Sequence, residues 1–276
     1  MGDAGQRRTK ASKTREYLTN LTFPAGAVLF ALVLWWAFVV GLKIPHYILP
    51  NPVDIIRELF LQSNLLLEHS WVTLYEALIG FLLAILVGFP IAMLLVWAKS
   101  IEKTLMPLLV FLQTFPKIAI VPLLVIWLGF GVMPKIFISF VICLFPIIIN
   151  TSVGLASVES EMLELIQSMK ATKFQVFSKV RIPNSFPYLL SALKISITLA
   201  LIGAIVGEFY AGDKGLGYII VSSHARLQTS LLFADILVLV FMGAALFYIV
   251  AGLEHVIIPW KPAAEETGRT LTGGTA

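Results

Sequence analysis

Three charged residues lie within otherwise apolar stretches, and their types and positions could guide an ion or a polar solute through a membrane. Glu76, Lys117 and Glu208 are each flanked by long runs of hydrophobic residues in this 276-residue chain. A charge near the centre of a bilayer costs at least about 2.5–3.5 kcal/mol, so such a residue is an expected functional site. We expect Lys117 and Glu208 to line a translocation route, with Glu76 as a third candidate. Lys117 would attract an anion or pair with a carboxylate.

A structural interpretation of the same three residues stays open. Glu76 lies near the start of its apolar segment and Glu208 at the end of another, where a carboxylate can reach interfacial water. Lys117 can extend its ammonium along its aliphatic stem to the interface, or pair with a neighbour. For Lys117 the two interpretations are balanced, and for Glu76 the structural one is favoured.

No pattern in the chain indicates covalent chemistry. The four histidines, His46, His69, His224 and His255, are scattered, and none has another His or Cys at the i, i+4 spacing of a helical metal site. The glycine-rich segment 212–217 lacks the Walker A pattern and follows an apolar span, so we expect an external turn there. No nucleophile elbow occurs either. We therefore predict that the chain is not an enzyme and binds no metal or cofactor of its own.

A polar segment, residues 158–183, interrupts the apolar stretches and suits contact with a partner. Its apolar residues share the i, i+3, i+4, i+7 spacing of one helix face: Met162, Leu165, Ile166 and Met169. Thr172 and Gln175 then match a capping box that opens a second helix, which we expect to end at Pro183 with Ile182 extended. Anionic lipid would explain the basic residues of the segment, whereas a protein groove also explains its three glutamates and its apolar ridge.

The elements that hold these residues are predicted to be membrane-spanning helices. The chain is 58% hydrophobic and 13% charged, with a mean hydropathy of +0.91, which indicates a lipid environment. A helix needs about 20 apolar residues to cross a bilayer. Six segments meet that length, so we predict an all-α polytopic membrane protein with six transmembrane helices. The segments are Phe23–Leu42, Ser70–Ala98, Leu105–Gly129, Pro134–Val153, Tyr188–Phe209 and Leu232–Leu253.

The distribution of Lys and Arg predicts the orientation of these helices. Placing the N-terminus in the cytoplasm puts the basic N-terminal tail and segment 158–183 on the cytoplasmic side, and six spans return the C-terminus there. We expect a cytoplasmic basic tail at 1–19, a transmembrane domain at 20–258 and a disordered cytoplasmic tail at 259–276. The single cysteine, Cys143, lies in the fourth span, so no intrachain disulfide is possible.

Small residues and prolines predict how the spans pack and bend. Small residues at four-residue spacing let helix backbones approach closely in lipid, so we expect the second and fifth spans to form the tight interior of the bundle. Three prolines, Pro107, Pro116 and Pro122, predict a bend or break in the third span near residues 114–117. The small residues are Gly80, Ala84, Gly88 and Ala92 in the second span and Ala192, Ser196, Ala200 and Ala204 in the fifth.

Several motifs together resemble the permease subunits of bacterial ABC importers. Glu164-Leu165-Ile166-x3-Lys170-x9-Val180-x-Ile182-Pro183 resembles the E-A-A-x3-G-x9-I-x-L-P loop of that family, which holds a helix that docks on the ATP-hydrolysing subunit. The resemblance extends from about Ser70 to Leu253 and points to the nitrate/sulfonate/taurine branch. The further motifs are Thr73-Leu74-x4-Ile79-Gly80-Phe81, Pro122-Leu123-Leu124-x2-Trp127-x-Gly129-x-Gly131, Val206-Gly207-Glu208-Phe209 and Gly215-Leu216-Gly217-Tyr218.

The resemblance implies a type I ABC-importer permease in the bacterial inner membrane that forms the translocation pathway. The implied partners are two ATPase subunits that bind ATP and Mg²⁺, a second permease copy, most simply an identical one, and a periplasmic or lipid-anchored substrate-binding protein. Membrane lipid surrounds such a subunit, and no nucleic acid is involved. The implied solute is a small anion such as nitrate, a sulfonate or taurine, or a pyrimidine-type vitamin precursor. The external turn would face the binding protein.

The resemblance also assigns the ATPase contact to segment 158–183. Lysine replaces the family's glycine at position 170, and lysine suits a left-handed turn poorly, so we expect a different turn in which Ala171 and Thr172 take up the bend. The residues assigned to the contact are Met162, Glu164, Leu165, Ile166, Met169, Lys170, Ala171, Thr172 and Pro183.

Two other functions are compatible with parts of the pattern. An ion-coupled secondary transporter or channel would use Glu76, Lys117 and Glu208 as an ion relay, and would depend on an ion gradient without an ATPase. A membrane scaffold would recruit a partner through segment 158–183 without transport, so that changes at Lys117 would have no effect.

Overall fold

The computed structural model describes residues 26–258, and these residues form helices without any strand. The predicted tails at 1–19 and 259–276 lie outside the described residues. The helices are α1 (Gly26–Gly41), α2 (Pro52–Leu61), α3 (Ser63–Trp97), α4 (Lys99–Thr114), α5 (Val121–Leu128), α6 (Val132–Ala156), α7 (Ser160–Ser168), α8 (Lys173–Val176), α9 (Ile182–Ala211), α10 (Leu216–Ala225) and α11 (Thr229–Ile257). A 3₁₀ turn at Lys117–Ile120 precedes α5, and a π-helical turn at Phe177–Arg181 joins α8 to α9.

Four helical stretches of the described chain are long and apolar enough to cross a membrane. They are Ser63–Trp97, Val132–Ala156, the continuous run Lys173–Ala211 and Thr229–Glu254. A bent pair, α4 with α5, provides a fifth if it is counted as one span. The first predicted span, Phe23–Leu42, begins outside the described residues, and α1 is the shorter apolar helix within it. The all-α membrane architecture is therefore confirmed, whereas the count of six spans stays a prediction.

The predicted break in the third span lies where the prolines placed it. α4 ends at Thr114, Phe115 and Pro116 follow in non-helical conformations, and the chain resumes in the 3₁₀ turn and α5 at an angle of 80°. Pro116 has no backbone N–H and disfavours a helical residue before it, so the helix stops there. Lys117 is the first residue after this break.

The chain divides into two compact units, of which the first comprises residues 26–65 and 222–236. α2 begins as the sequence predicted, because the Asn51 side chain accepts the backbone N–H of Val53 at 3.2 Å and Asp54 lies in the first turn. Within the same unit, the Trp35 and Phe233 rings lie 5.8 Å apart.

The second unit comprises residues 66–221 and 237–258 and holds a core built on small residues. All eight small residues predicted to mark the tight interior are buried. α6 packs closely against both α3 and α9. A Cβ added at Gly80 in α3 would overlap the Ser139 side chain of α6, and one added at Gly203 in α9 would come within 2.6 Å of the Ser139 Cα. Ser139 also donates from its Oγ to the Ala200 carbonyl at 3.0 Å. Close backbone approach therefore joins α3, α6 and α9.

Two helix boundaries differ from the sequence prediction. Ile182 is helical, with φ −62° and ψ −53°, and Pro183 lies in the first turn of α9, so the helix does not end there. The π-helical turn at Phe177–Arg181 changes the hydrogen-bond register just before Pro183. The helix can therefore continue through Pro183 although proline has no backbone N–H to donate. After α9, segment 212–217 reverses the chain as expected, but it leads directly into α10, which the sequence analysis did not predict.

Candidate functional site

Residues 158–183, which we call the coupling segment, contain two helices separated by a tight turn, as predicted. The start of α8 is fixed by a complete capping box. Thr172 Oγ1 accepts the backbone N–H of Gln175 at 3.3 Å, and Gln175 Oε1 accepts the backbone N–H of Thr172 at 2.8 Å. The sequence signature therefore located this helix start correctly.

The turn between α7 and α8 is a Schellman motif with Lys170 in the left-handed conformation. Lys170 has φ +58°, the Ala171 N–H donates to the Ile166 carbonyl at 3.3 Å, and the Lys170 N–H donates to the Gln167 carbonyl at 2.9 Å. The expectation of a different turn was wrong. A left-handed residue other than glycine costs roughly 1–2 kcal/mol, and the two hydrogen bonds together with the capped helix that follows offset that cost.

An apolar ridge along α7 is exposed. Met162, Leu165 and Met169 are 48%, 60% and 76% exposed, and Phe174 in α8 is 69% exposed. We call these four side chains the coupling patch. An amphipathic helix with such a ridge can lie on lipid or in a protein groove, and the three glutamates of the segment favour the groove over anionic lipid.

The other residues assigned to the contact differ in their exposure. Glu164 and Thr172 are exposed, and Ile166 and Ala171 are half-buried. Pro183 is half-buried in the first turn of α9, where its role is to shape the helix start. Glu164 and Thr172 are thus accessible to a partner, whereas Ile166, Ala171 and Pro183 are partly covered by the chain itself.

The coupling segment is anchored to the membrane helices on its inner side. The Phe177 ring is buried and lies edge-on to Trp97 at the end of α3, with centroids 5.2 Å apart. The Arg181 guanidinium donates to the Leu155 carbonyl at the end of α6 at 2.8 Å. A force applied to α7 or α8 therefore reaches α3, α6 and α9 through packed side chains and the continuous helix.

Glu76 in α3 pairs with Lys135 in α6, a lysine that was not among the candidate residues of the sequence. Lys135 Nζ lies 2.9 Å from Glu76 Oε1, and the two side chains are 1% and 0% exposed. The same ammonium donates to the Lys214 carbonyl at 3.3 Å. Glu76 therefore does not reach interfacial water: its carboxylate is buried in the helix packing, where Oε1 pairs with Lys135 and Oε2 has no hydrogen-bond partner among the described residues.

Glu208 is also buried, and its carboxylate accepts hydrogen bonds from two groups near the C-terminal end of α9. Oε1 accepts the Thr73 hydroxyl at 2.7 Å and Oε2 accepts the Gly217 N–H at 2.6 Å. The carboxyl also interacts electrostatically with Glu76 and Lys135. We call Glu76, Lys135 and Glu208 the buried charge cluster. Its members connect α3, α6 and α9 and are surrounded by protein.

Lys117 lies apart from the buried charge cluster. Its ammonium donates to the Gln113 carbonyl at 2.9 Å and lies 5.1 Å from the centroid of the Phe145 ring. The structure therefore brings Glu76 and Glu208 together but does not join Lys117 to them. This arrangement is not the three-residue relay that the secondary-transporter interpretation requires. Of the three candidates, Lys117 alone is partly exposed.

Sequence reasoning missed two lysines that pair across helices. Lys135 lies near the start of the fourth predicted span, and the carboxylate of Glu76 within another span indicated that a buried cation should lie close to it. Lys194, within the fifth span, pairs with Glu254 in α11 at 2.6 Å. In both cases the sequence contained the necessary indication, because a charged residue within an apolar segment needs an oppositely charged partner from another segment.

A family model matches residues 80–260 of the chain, and its description is "Binding-protein-dependent transport system inner membrane component". The match covers the charge cluster's helices α6 and α9 and the whole coupling segment.

Two similar proteins cover most of the chain. The formylaminopyrimidine transport permease protein ThiX of Halalkalibacterium halodurans is 35% identical over 78% of this chain and 86% of its own length. The putative aliphatic sulfonates transport permease protein SsuC of Bacillus subtilis is 31% identical over 94% of this chain and 93% of its own. These similarities support the nitrate/sulfonate/taurine branch.

A solved structure shares the fold. A chain of the MetNI methionine ABC transporter, in an inward-facing conformation, superimposes with a TM-score of 0.61 at 17% sequence identity. The superposition covers 71% of this chain and 97% of that chain. It supports the assignment of the membrane helices to an ABC-permease fold.

Proposed function

This chain belongs to the family of binding-protein-dependent transport system inner membrane components, and on that premise we propose that the coupling segment joins it to its ATPase. It is a permease subunit of an ABC importer in the inner membrane and contributes to substrate translocation. It is not an enzyme, because ATP hydrolysis belongs to a separate subunit. A substrate-binding protein and an ATPase are the partners that the family implies.

The observation that carries the proposal is the exposed coupling patch on a rigid, anchored segment. Met162, Leu165 and Met169 present an apolar ridge, and Glu164 lies beside it. Such a ridge suits an apolar groove, and the capping box and the Schellman turn hold both helices in one geometry before the partner binds. Preorganisation of this kind lowers the conformational entropy lost on docking.

The proposed assembly contains two permease copies, two ATPase subunits and one external binding protein. ATP and Mg²⁺ bind to the ATPase subunits, whose closure draws the coupling segments together. Because the segment is anchored through Phe177 and Arg181 and continues into α9, its displacement would move the attached membrane helices toward an outward-open state. Hydrolysis then resets the inward-open state.

The proposed solute is a small anion, such as nitrate, a sulfonate or taurine, or a pyrimidine-type vitamin precursor. The two similar permeases named above are named for a formylaminopyrimidine and for aliphatic sulfonates, which supports both classes. For an anionic solute, Lys117 is the proposed pathway residue, because its partly exposed ammonium lies at the break between α4 and α5. Glu76 and Glu208 would contribute to the pathway indirectly, by holding the surrounding helices in place.

The experiment that tests the coupling role is affinity purification of the tagged chain from its native membrane, followed by an ATPase assay of the eluate. The variant is Leu165→Asp, which places a carboxylate in the centre of the coupling patch. We expect ATPase activity per mole of chain to fall roughly tenfold or more, because an unpaired charge at the core of an interface prevents tight docking.

A matched control makes the same chemical change at a leucine of similar exposure elsewhere. Leu227, 64% exposed against 60% for Leu165, lies in the turn between α10 and α11 that is predicted to be external. Leu227→Asp should retain the ATPase. If no ATPase accompanies the parent chain, the coupling proposal fails as a whole. If Leu165→Asp and Leu227→Asp retain it equally, the coupling patch is not the docking site.

A further inference from the structure

A cavity of about 820 Å³ lies between the end of α3 and the coupling segment. Its walls come from three parts of the chain: the end of α3, α7, and the stretch that runs from the turn after α7 through the π-helical turn. The lining includes Trp97, Leu163, Gln167, Lys173, Phe177 and Arg181.

The cavity and the coupling patch lie on different faces of α7. Leu163 and Gln167, which line the cavity, are four residues apart and therefore share one face of the helix. Met162, Leu165 and Met169 follow another row of the same helix and are exposed. The proposed ATPase contact on the coupling patch therefore does not account for the cavity.

Lys173 and Arg181 give the cavity a positive charge that no carboxylate of the described residues neutralises. None of the lining residues is acidic, and neither cation forms an ion pair with an Asp or Glu in the described part of the chain. Arg181 donates one N–H to the Leu155 carbonyl at 2.8 Å, which leaves the rest of its guanidinium for other acceptors. Because Arg and Lys are the side chains that bind phosphate groups, the cavity suits a phosphate-bearing anion.

The rest of the lining is largely apolar and lies at the end of a helix long enough to cross a membrane. Trp97 is the last residue of α3 and is exposed, and the buried Phe177 ring lies edge-on to it. Tryptophan at the end of a membrane helix is typical of the layer of lipid headgroups. The distribution of Lys and Arg predicts that this end is cytoplasmic, where the leaflet carries anionic lipid. A ligand that fits both parts of the cavity is therefore anionic and amphiphilic.

We propose that the cavity binds one anionic phospholipid, with its phosphate at Lys173 and Arg181 and its glycerol and upper acyl carbons against Trp97 and Phe177. Basic pockets at the cytoplasmic ends of membrane helices suit such headgroups. The bound lipid bridges the end of α3 and the coupling segment and so holds the segment at the membrane surface. The inference goes beyond the proposed function, because lipid binding requires no ATPase.

The test measures phospholipid binding to the full chain, purified in a neutral detergent, by native mass spectrometry. The probes are phosphatidylglycerol, which is anionic, and phosphatidylcholine with the same acyl chains, which has no net charge. We expect the parent to bind its first phosphatidylglycerol roughly tenfold more tightly, because the choline cation of the other lipid opposes the positive charge of the cavity.

The variant is Lys173→Gln, which removes one cavity charge from an exposed position at the start of α8. We expect its Kd for phosphatidylglycerol to rise roughly tenfold, since a charge-assisted hydrogen bond to the phosphate is lost. Its Kd for phosphatidylcholine should change less than about twofold. Lys173→Arg keeps the charge and should stay within about threefold of the parent for both lipids.

The matched control is Lys179→Gln, which makes the same chemical change in the same segment. Lys179 is exposed and does not line the cavity. Its removal lowers only the general surface charge, so the Kd for phosphatidylglycerol should stay within about twofold of the parent's.

Three results would overturn the inference. Equal weakening by Lys173→Gln and Lys179→Gln would mean that the lipid responds to surface charge in general. Equal affinity of the parent for the two lipids would mean that the cavity does not select an anion. Inorganic phosphate, measured by isothermal titration calorimetry in the same detergent, should bind at least about tenfold more weakly than phosphatidylglycerol, because it cannot use the apolar wall. If it binds as tightly, the cavity is a site for free phosphate and not for lipid. None of these measurements needs an ATPase, so failure of the coupling proposal would leave them unaffected.

Discussion

At the scale of single residues, the buried ion pair between Lys135 and Glu76 joins α6 to α3. Both side chains are within 1% of complete burial, and Lys135 Nζ lies 2.9 Å from Glu76 Oε1. Desolvating two charges offsets most of their attraction, so a buried pair adds little net stability, yet loss of one partner leaves the other uncompensated. Lys135 and Glu76 therefore depend on each other.

We expect Lys135→Met to destabilise the protein by roughly 3–5 kcal/mol, because Glu76 is left buried without its cation. The measurement is the free energy of unfolding of the detergent-solubilised protein in an SDS titration. Lys135→Met combined with Glu76→Leu replaces the pair by apolar side chains and should recover at least half of the loss. A double variant no more stable than Lys135→Met would show that the pair is not the source of the effect.

At the scale of elements, the coupling segment has one feature that its local sequence predicts, the capping box, and one that it does not predict, the π-helical turn. The capping box at Thr172 follows from local sequence, and the structure has it as predicted. The π-helical turn at Phe177–Arg181 instead lets one helix continue through Pro183. That continuity bears on the proposed coupling role, because α8 and α9 form one continuous helical stretch that leads from the coupling patch into the membrane-spanning part of the chain.

Lys170→Gly should stabilise the turn between α7 and α8 by about 1 kcal/mol, since glycine adopts φ +58° without the steric cost that lysine bears. The Ala171 amide, which donates to the Ile166 carbonyl, should then exchange its hydrogen roughly fivefold more slowly. Lys170→Ala is the matched control, because it removes the same charge but keeps the steric cost. Equal exchange rates in the two variants would exclude backbone strain at this position.

At the scale of the whole molecule, orientation decides which surface meets which partner. The coupling segment lies before α9 and the turn 212–217 lies after it, so one spanning helix separates them. The distribution of Lys and Arg predicts that the coupling segment is cytoplasmic. With that orientation, an ATPase meets the side that carries the coupling patch, and a binding protein meets the opposite side.

Cysteine labelling tests this orientation directly, because Cys143, the chain's single cysteine, is completely buried and should not react. Lys170→Cys should react with a membrane-impermeant maleimide only in inside-out vesicles. Asp213→Cys should react only in right-side-out vesicles. The reverse result would invert the predicted topology, and labelling of both from one side would mean that α9 does not span the membrane.

The sequence by itself determined the membrane helices, the broken third span, the small-residue interior and the two-helix form of the coupling segment. These features depend on local hydrophobicity, periodicity and the backbone limits of Gly and Pro, which neighbouring residues along the chain record. The apolar face of α7 and the capping box of α8 were readable for the same reason.

Only the tertiary structure decided which charges meet. Lys135 and Glu76 are 59 residues apart, and Thr73 and Glu208 are 135 apart, so their contacts depend on which helix faces pack together. The same holds for Lys170, whose left-handed turn is stabilised by its surroundings in spite of its side chain. Local sequence sets the conformational preference of each segment separately. The native contacts are those that give the lowest total free energy of the whole chain, and no single segment determines that total.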